Sequence, residues 1–166
     1  MSRVDELIQQ LQLKKHPEGG YFRETYRSRH ILDAPALDNE YTGARNVSTA
    51  IYYLLNGGQK SMLHRLRSDE LWFFHEGQCV DIIILDKGGS KTFRLGRDIE
   101  RGEELQHIIP AGSWFGALLP SMSEYVLCSC TVAPGFDFED FEMGDRAALL
   151  EEFPSCRHEI LTLTNP

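Results

Sequence analysis

Between Gly58 and Gly77 the chain reads Gly-Gln-Lys-Ser-Met-Leu-His-Arg-Leu-Arg-Ser-Asp-Glu-Leu-Trp-Phe-Phe-His-Glu-Gly. A short strand, a turn at Arg67, Ser68 and Asp69, and a second strand would set His64 and Glu70 on facing positions. An imidazole and a carboxylate that meet at the mouth of an apolar sheet can ligate a metal or move a proton. The expectation is that the two line one cavity within hydrogen-bond reach, directly or through one water, with Glu70 holding His64 in one tautomer. Strict alternation along the second strand puts Trp72 and Phe74 with Glu70 and sends His75 to the other face, unless a bulge brings it in. Trp72, Phe74, Trp114 and Phe115 would form an apolar wall, and apolar walls with a few convergent polar groups describe a small-molecule site.

The surrounding elements read as a β-rich shell. Residues 2–13 carry Val4, Leu7, Ile8 and Leu11 at helical spacing, with Ser2 and Asp5 as a cap and Pro17 as a stop. After the Glu18-Gly19-Gly20 turn, residues 21–28 alternate so that Arg23 and Arg27 share one face and Phe22 lies on the other. Residues 29–45 read as a loop long enough to be a lid. Strands follow over 47–55, 80–85, 91–95, 105–109, 113–119 and 125–132, closed by glycine-rich turns such as Asp86-Lys87-Gly88-Gly89. The aromatic and acidic run from Pro134 to Gly144 should wrap the shell with rings inward and carboxylates outward. A helix capped by Asp145 and a last helical turn after Pro154 end the chain. Short strands at this spacing favour a sandwich or barrel over alternating β/α units.

Composition narrows the classes of function. The chain has 166 residues, net charge −8, 42% apolar and 25% charged residues. That is one domain, with basic residues scattered rather than clustered, so nucleic acid is disfavoured as a partner. No apolar run reaches the length of a membrane span, and the first residues lack a leader pattern, which makes a cytoplasmic location the expectation. Cys79, Cys128, Cys130 and Cys156 form no metal-type pair and read as free thiols.

The chain also resembles the cupin superfamily. In the first cupin motif, G-x5-H-x-H-x3-4-E-x6-G, Gly58, His64, Glu70 and Gly77 stand at the required spacings, but Leu66 takes the place of the second histidine. In the second motif, Pro110-Ala111-Gly112 is followed by Phe115 where a histidine would stand. More narrowly, the chain resembles a small, uncharacterised single-domain cupin family. The resemblance runs through His16 to Arg23, His64-Arg65-Leu66 with Asp69-Glu70, Trp72 to Gly77, Pro134-Gly135-Phe136 and Asp140-Phe141-Glu142. It implies one cupin-type β-barrel, or jelly roll, over residues 1–166, an N-terminal helix with short C-terminal helices outside, and a homodimer. It implies a small-molecule ligand, with a carbohydrate or nucleotide sugar suggested by cupin-fold epimerases, and adds Glu18 and Arg23 to the ligand-binding set. With Leu66 and Phe115 unable to ligate, no cofactor is expected. A divalent metal would have only His64, Glu70 and His75, or His107, as weak ligands. An epimerase with His64 as base and Tyr53 or Tyr125 as acid, a metal-dependent enzyme, and a non-catalytic sensor or storage protein all remain open.

Overall fold

The computed structural model describes residues 1–37, 41–120 and 124–166. It begins with α1 (Arg3–Gln10), whose Ser2–Asp5 capping box is formed, and continues through β1 (Lys14–Lys15), β2 (Tyr21–Arg27), β3 (Ile31–Leu32) and β4 (Arg45–Asn46). The central strands are β5 (Thr49–Asn56), β6 (Lys60–Leu66), β7 (Asp69–Gly77), β8 (Val80–Asp86) and β9 (Gly89–Leu95). They are followed by β10 (Gln106–Ile109), β11 (Phe115–Leu118), β12 (Tyr125–Ala133) and β13 (Phe141–Met143), then α2 (Arg146–Glu152) and α3 (Arg157–Leu163). No helix among the described residues is long and apolar enough to cross a membrane.

Two antiparallel sheets face each other. One has the order β1-β2-β5-β12-β7-β10, the other β13-β6-β11-β8-β9. This is the jelly-roll arrangement expected from the sequence, with helices at both ends of the chain. The opening stretch is therefore not a paired hairpin. Its two-residue connection, Arg67-Ser68, carries the chain from β6 in one sheet to β7 in the other, so His64 and Glu70 face each other across the interior. The segment read as a lid is in part the small β3–β4 ladder, Ile31↔Asn46 and Leu32↔Arg45; residues 38–40 of it lie outside the described residues.

Alternation sorts the apolar residues into three layers. Tyr53, Leu55, Trp72, Val80, Ile82, Ile109, Phe115, Val126 and Cys128 fill the space between the sheets. Leu63, Ile83, Leu85 and Trp114 pack outward from the five-stranded sheet against Leu149, Ile160 and Leu163 of α2 and α3. Leu54 and Leu127 face Leu7 of α1 and Leu13 on the other outer face.

Candidate functional site

The inward side chains of β7 are Glu70, Trp72 and Phe74 in order, and the interior is not uniform along them. Trp72 is 1% exposed and lies edge-on to Tyr53 and Phe115, at ring distances of 5.3 and 6.3 Å. These rings plug one end of the sandwich. The other end, beyond Tyr53 and Glu70, holds a cavity of about 280 Å3. Its apolar wall comes from Phe22, Ile51, Leu66, Val132, Phe136, Phe138 and Phe141, and its polar groups include His16, Glu18, His64 and Glu70.

Several expectations need correction. Trp72 and Phe115 are core filling, and Phe74 packs against that core; none of the three lines the cavity. Trp114 faces the other way from its neighbour Phe115, into the helix layer, with the Arg65 guanidinium 4.6 Å above its ring. Arg23 also lies outside, 6.0 Å from the centroid of Tyr52. It alternates with the inward Phe22 and Glu24, and a bulge between Glu24 and Tyr26 in the β2–β5 ladder then changes the face of the residues that follow. Phe22, Glu24 and Arg27 oppose Tyr53, Ile51 and Thr49, so the bulge brings Arg27 onto the cavity face and leaves Arg23 on the other. β7 has an irregularity at His75 too, where Cys128 pairs with Phe74 and Leu127 with Glu76. It does not bring His75 inward: the ring hydrogen-bonds Ser129 Oγ at 2.8 Å on the outer face, edge-on to Tyr52. His107 pairs with Glu104 at 2.6 Å and stacks on Phe93, away from the cavity. Tyr125 bonds Glu76 beside α1.

His64 and Glu70 do line one cavity, but the carboxylate that meets the imidazole is Glu18. His64 Nε2 stands 3.1 Å from Glu18 Oε2, whereas no hydrogen bond joins His64 to Glu70. Glu18 reaches the interior because the Gly19-Gly20 turn presses against neighbouring backbone. A Cβ on Gly20, which has φ +73°, would stand 2.7 Å from the Leu54 carbonyl oxygen. Ser61 Oγ donates to Glu18 Oε1 at 2.9 Å, and the Met62 amide donates to the Glu18 carbonyl. Across His64, Nδ1 lies 2.7 Å from the Met62 carbonyl. A carbonyl only accepts, so Nδ1 carries a proton. The contact from Nε2 to Glu18 is then complementary only when a second proton lies on Nε2 or on the carboxyl. Tyr53 donates its hydroxyl to the Gly19 carbonyl at 2.8 Å, and burial pushes its pKa well above the usual tyrosine range. His16 closes the cluster 3.5 Å from Glu18, its pKa lowered by burial.

Glu70 differs from these groups. It is buried, and its Oε2 has no hydrogen-bond partner. Burial first, and the Glu18 charge second, push its pKa up to about 8. The Cys130 thiol and Trp72 indole lie near enough to oppose that shift, yet the indole Nε1 closes no hydrogen bond of normal geometry. The surroundings of Glu70 therefore favour its protonated form.

The donor set does not suit a metal ion. Among the described residues no group of three or more His, Cys, Asp or Glu is placed to hold one. Leu66 and Phe115 occupy the two ligand positions of the cupin motifs, and His64 has a protein partner at each ring nitrogen. Phe115 lies directly opposite His64 in the β11–β6 ladder, with ring centroids 4.2 Å apart, and Leu66 is two residues along the same face. The double substitution Leu66→His with Phe115→His should therefore create zinc or manganese binding by four convergent donors. Elemental analysis should show a near-stoichiometric metal in the variant and well under one equivalent in the parent. No gain in a variant with an unchanged circular dichroism spectrum would show that these positions do not converge.

Comparison with known proteins agrees with this fold. A structure of a hypothetical protein from Leishmania major matches at 34% identity and TM-score 0.91, covering 99% of this chain and all of that one. An X-ray structure of protein SO0799 from Shewanella oneidensis matches at 36% identity and TM-score 0.86, over 100% and 99% of the two chains. The uncharacterised yeast protein YML079W from Saccharomyces cerevisiae is 34% identical over 148 residues, 84% of this chain and 74% of the yeast protein. Oxalate decarboxylase from Bacillus subtilis shares the fold alone, at 16% identity and TM-score 0.54, over 90% of this chain and 36% of the enzyme. The model of the family Cupin_5, cupin superfamily (DUF985), matches residues 5–144, and the chain belongs to that family.

Proposed function

We propose that the protein binds a compact, largely apolar small molecule at the open end of the sandwich and reads its one polar group with Glu70. A single observation carries the reading. Buried polar atoms in folded proteins nearly always have a partner, and an unmatched one costs on the order of 1–3 kcal/mol. Glu70 Oε2 has none, and the residue lines an apolar cavity. The nucleotide sugar suggested by fold analogy is not favoured. The lining is rich in carboxylates, and its basic side chains, Arg27, His16 and His64, already face Glu24 and Glu18, which leaves nothing among the described residues to match a diphosphate.

A second reading, proton transfer to or from the bound molecule, is favoured by the poise of Glu70 close to neutrality. His64 is a poor candidate for the base because Nδ1 and Nε2 face Met62 and Glu18.

Native mass spectrometry of protein purified without chelator should show a retained organic mass. Val132→Phe, which fills the cavity from β12, should lose it while keeping the fold. Deuterium incorporated into the retained molecule from heavy water, and absent with Glu70→Gln, would select the second reading. Retention of the same mass by Val132→Phe would place the ligand elsewhere and sink both.

A further inference from the structure

We infer that the molecule taken by this cavity is a compact organic cation, an ammonium group on a small apolar body, held between the Glu70 carboxylate and the phenyl rings at the rim. The inference rests on the cavity being the binding site, as proposed above. It adds the charge of the ligand.

The first argument is the balance of charge. Arg27 donates from Nε and Nη2 to the two oxygens of Glu24, at 2.9 and 2.7 Å, and from Nη1 to Asn46 and the Phe136 carbonyl. His64 is taken by Glu18 and Met62. An anionic ligand would find no unmatched positive group among the described residues of the wall. A cation finds Glu70, whose carboxyl has an oxygen without a hydrogen-bond partner and lies near the second carboxylate Glu18, the thiol of Cys130 and the indole of Trp72.

The second argument is the character of the wall. Phe136, Phe138 and Phe141 pack with centroids 5.0 to 6.0 Å apart and planes at 64° to 82° to one another, a box-like corner of rings. Phe138 stays 59% exposed, although two ring partners lie beside it. An aromatic left in solvent at the entrance of an acidic, phenyl-lined cavity is the arrangement that attracts ammonium groups through the ring quadrupole. Glu70 then exchanges its proton for the ligand's charge.

Three probes of one shape and different charge test this: choline, its neutral isostere 3,3-dimethylbutan-1-ol, and 3,3-dimethylbutanoate. Choline carries no titrating proton, so any pH dependence in its binding belongs to the protein. By calorimetry at neutral pH, choline should bind at least about tenfold more tightly than the alcohol, and the butanoate weakest. Binding of choline should release close to one proton, read from the dependence of the heat on buffer ionisation. Glu70→Gln should abolish the proton release and bring choline within about threefold of the alcohol. If the alcohol binds as tightly as choline, or choline binds without proton release, the charge assignment falls while the cavity stands as a ligand site. If the butanoate binds best, the charge assignment is reversed. If none of the three binds, the cavity reading falls with it.

Discussion

Glu70→Gln should make the protein more stable, and the gain should grow with pH. Burial and the nearby Glu18 charge raise the carboxyl from 4.5 to about 8. A native state that holds a proton more tightly than the unfolded chain loses no stability to ionisation below pH 4.5, where both states carry the proton. Above that the unfolded chain ionises and the native state does not, so stability falls as pH rises, by about 1.4 kcal/mol per unit. The loss is complete once the pH passes about 8, where it reaches roughly 3–5 kcal/mol. Gln keeps the shape of the protonated acid and cannot ionise. Parent and variant should therefore unfold alike in urea near pH 4.5 and diverge by that amount at pH 8 and above. A constant offset across the range would mean that only packing had changed, and a variant that loses ground at high pH would remove Glu70 from its buried position. A buried acid that costs the fold stability is the trade expected of a group kept for binding or chemistry, the role proposed above for Glu70.

Much of this architecture was legible in the sequence, and the failures have local causes. Motif spacing placed His64 and Glu70 in one interior, and alternation along β7 correctly grouped Glu70 with Trp72 and Phe74. What alternation cannot report is where the filled interior ends. The cavity stops at Glu70 because Tyr53, Trp72 and Phe115 fill the rest, a matter of summed volumes across three strands. Glu18 was read as a ligand-binding residue but not as the partner of His64. Their contact depends on the Gly19-Gly20 turn folding onto the backbone of β5 and β6, a pairing between distant segments. The one-residue bulge in β2 separates Arg27 from Arg23, with which strict alternation would group it, since a shift of one residue changes the face of all that follows. His16, Phe22, Phe136 and Phe141 went unnamed as site residues. A signal for them is present: of the segments that carry the cupin resemblance, those around residues 16–22 and 64–70, Phe136 and Phe141 each contribute to the cavity lining.

The aromatic and acidic pattern of residues 134–144 predicts carboxylates that point outward, and Asp140 does not. It is 6% exposed and meets Arg45, 4% exposed, through two parallel bonds, Nε to Oδ2 at 2.7 Å and Nη2 to Oδ1 at 2.8 Å. Arg45 also donates to the Ala44 carbonyl, and Arg67 approaches Asp140 at 3.6 Å. The pair ties β4 to the short 3-10 turn Phe138–Asp140, whose neighbours Phe136 and Phe141 form the rim of the cavity. Removing one partner of such a pair leaves a buried charge uncompensated, at about 3–5 kcal/mol, whereas replacing both by apolar groups of similar volume costs far less. Asp140→Ala should therefore lower unfolding stability by about that amount, and Arg45→Met with Asp140→Leu should recover most of it. Hydrogen exchange should separate the structural effect from the functional one. In Asp140→Ala, amides of residues 134–144 should exchange faster than those of β7 and β12, because the tie that holds the aromatic rim is gone while the ladders are intact. The single variant should then lose retained ligand, and the apolar double variant should regain it. Equal stability of Asp140→Ala and the parent would show that the pair contributes nothing net. A double variant that is stable, protected over 134–144 and still unable to retain ligand would assign the pair to the charge of the site and not to the position of its wall.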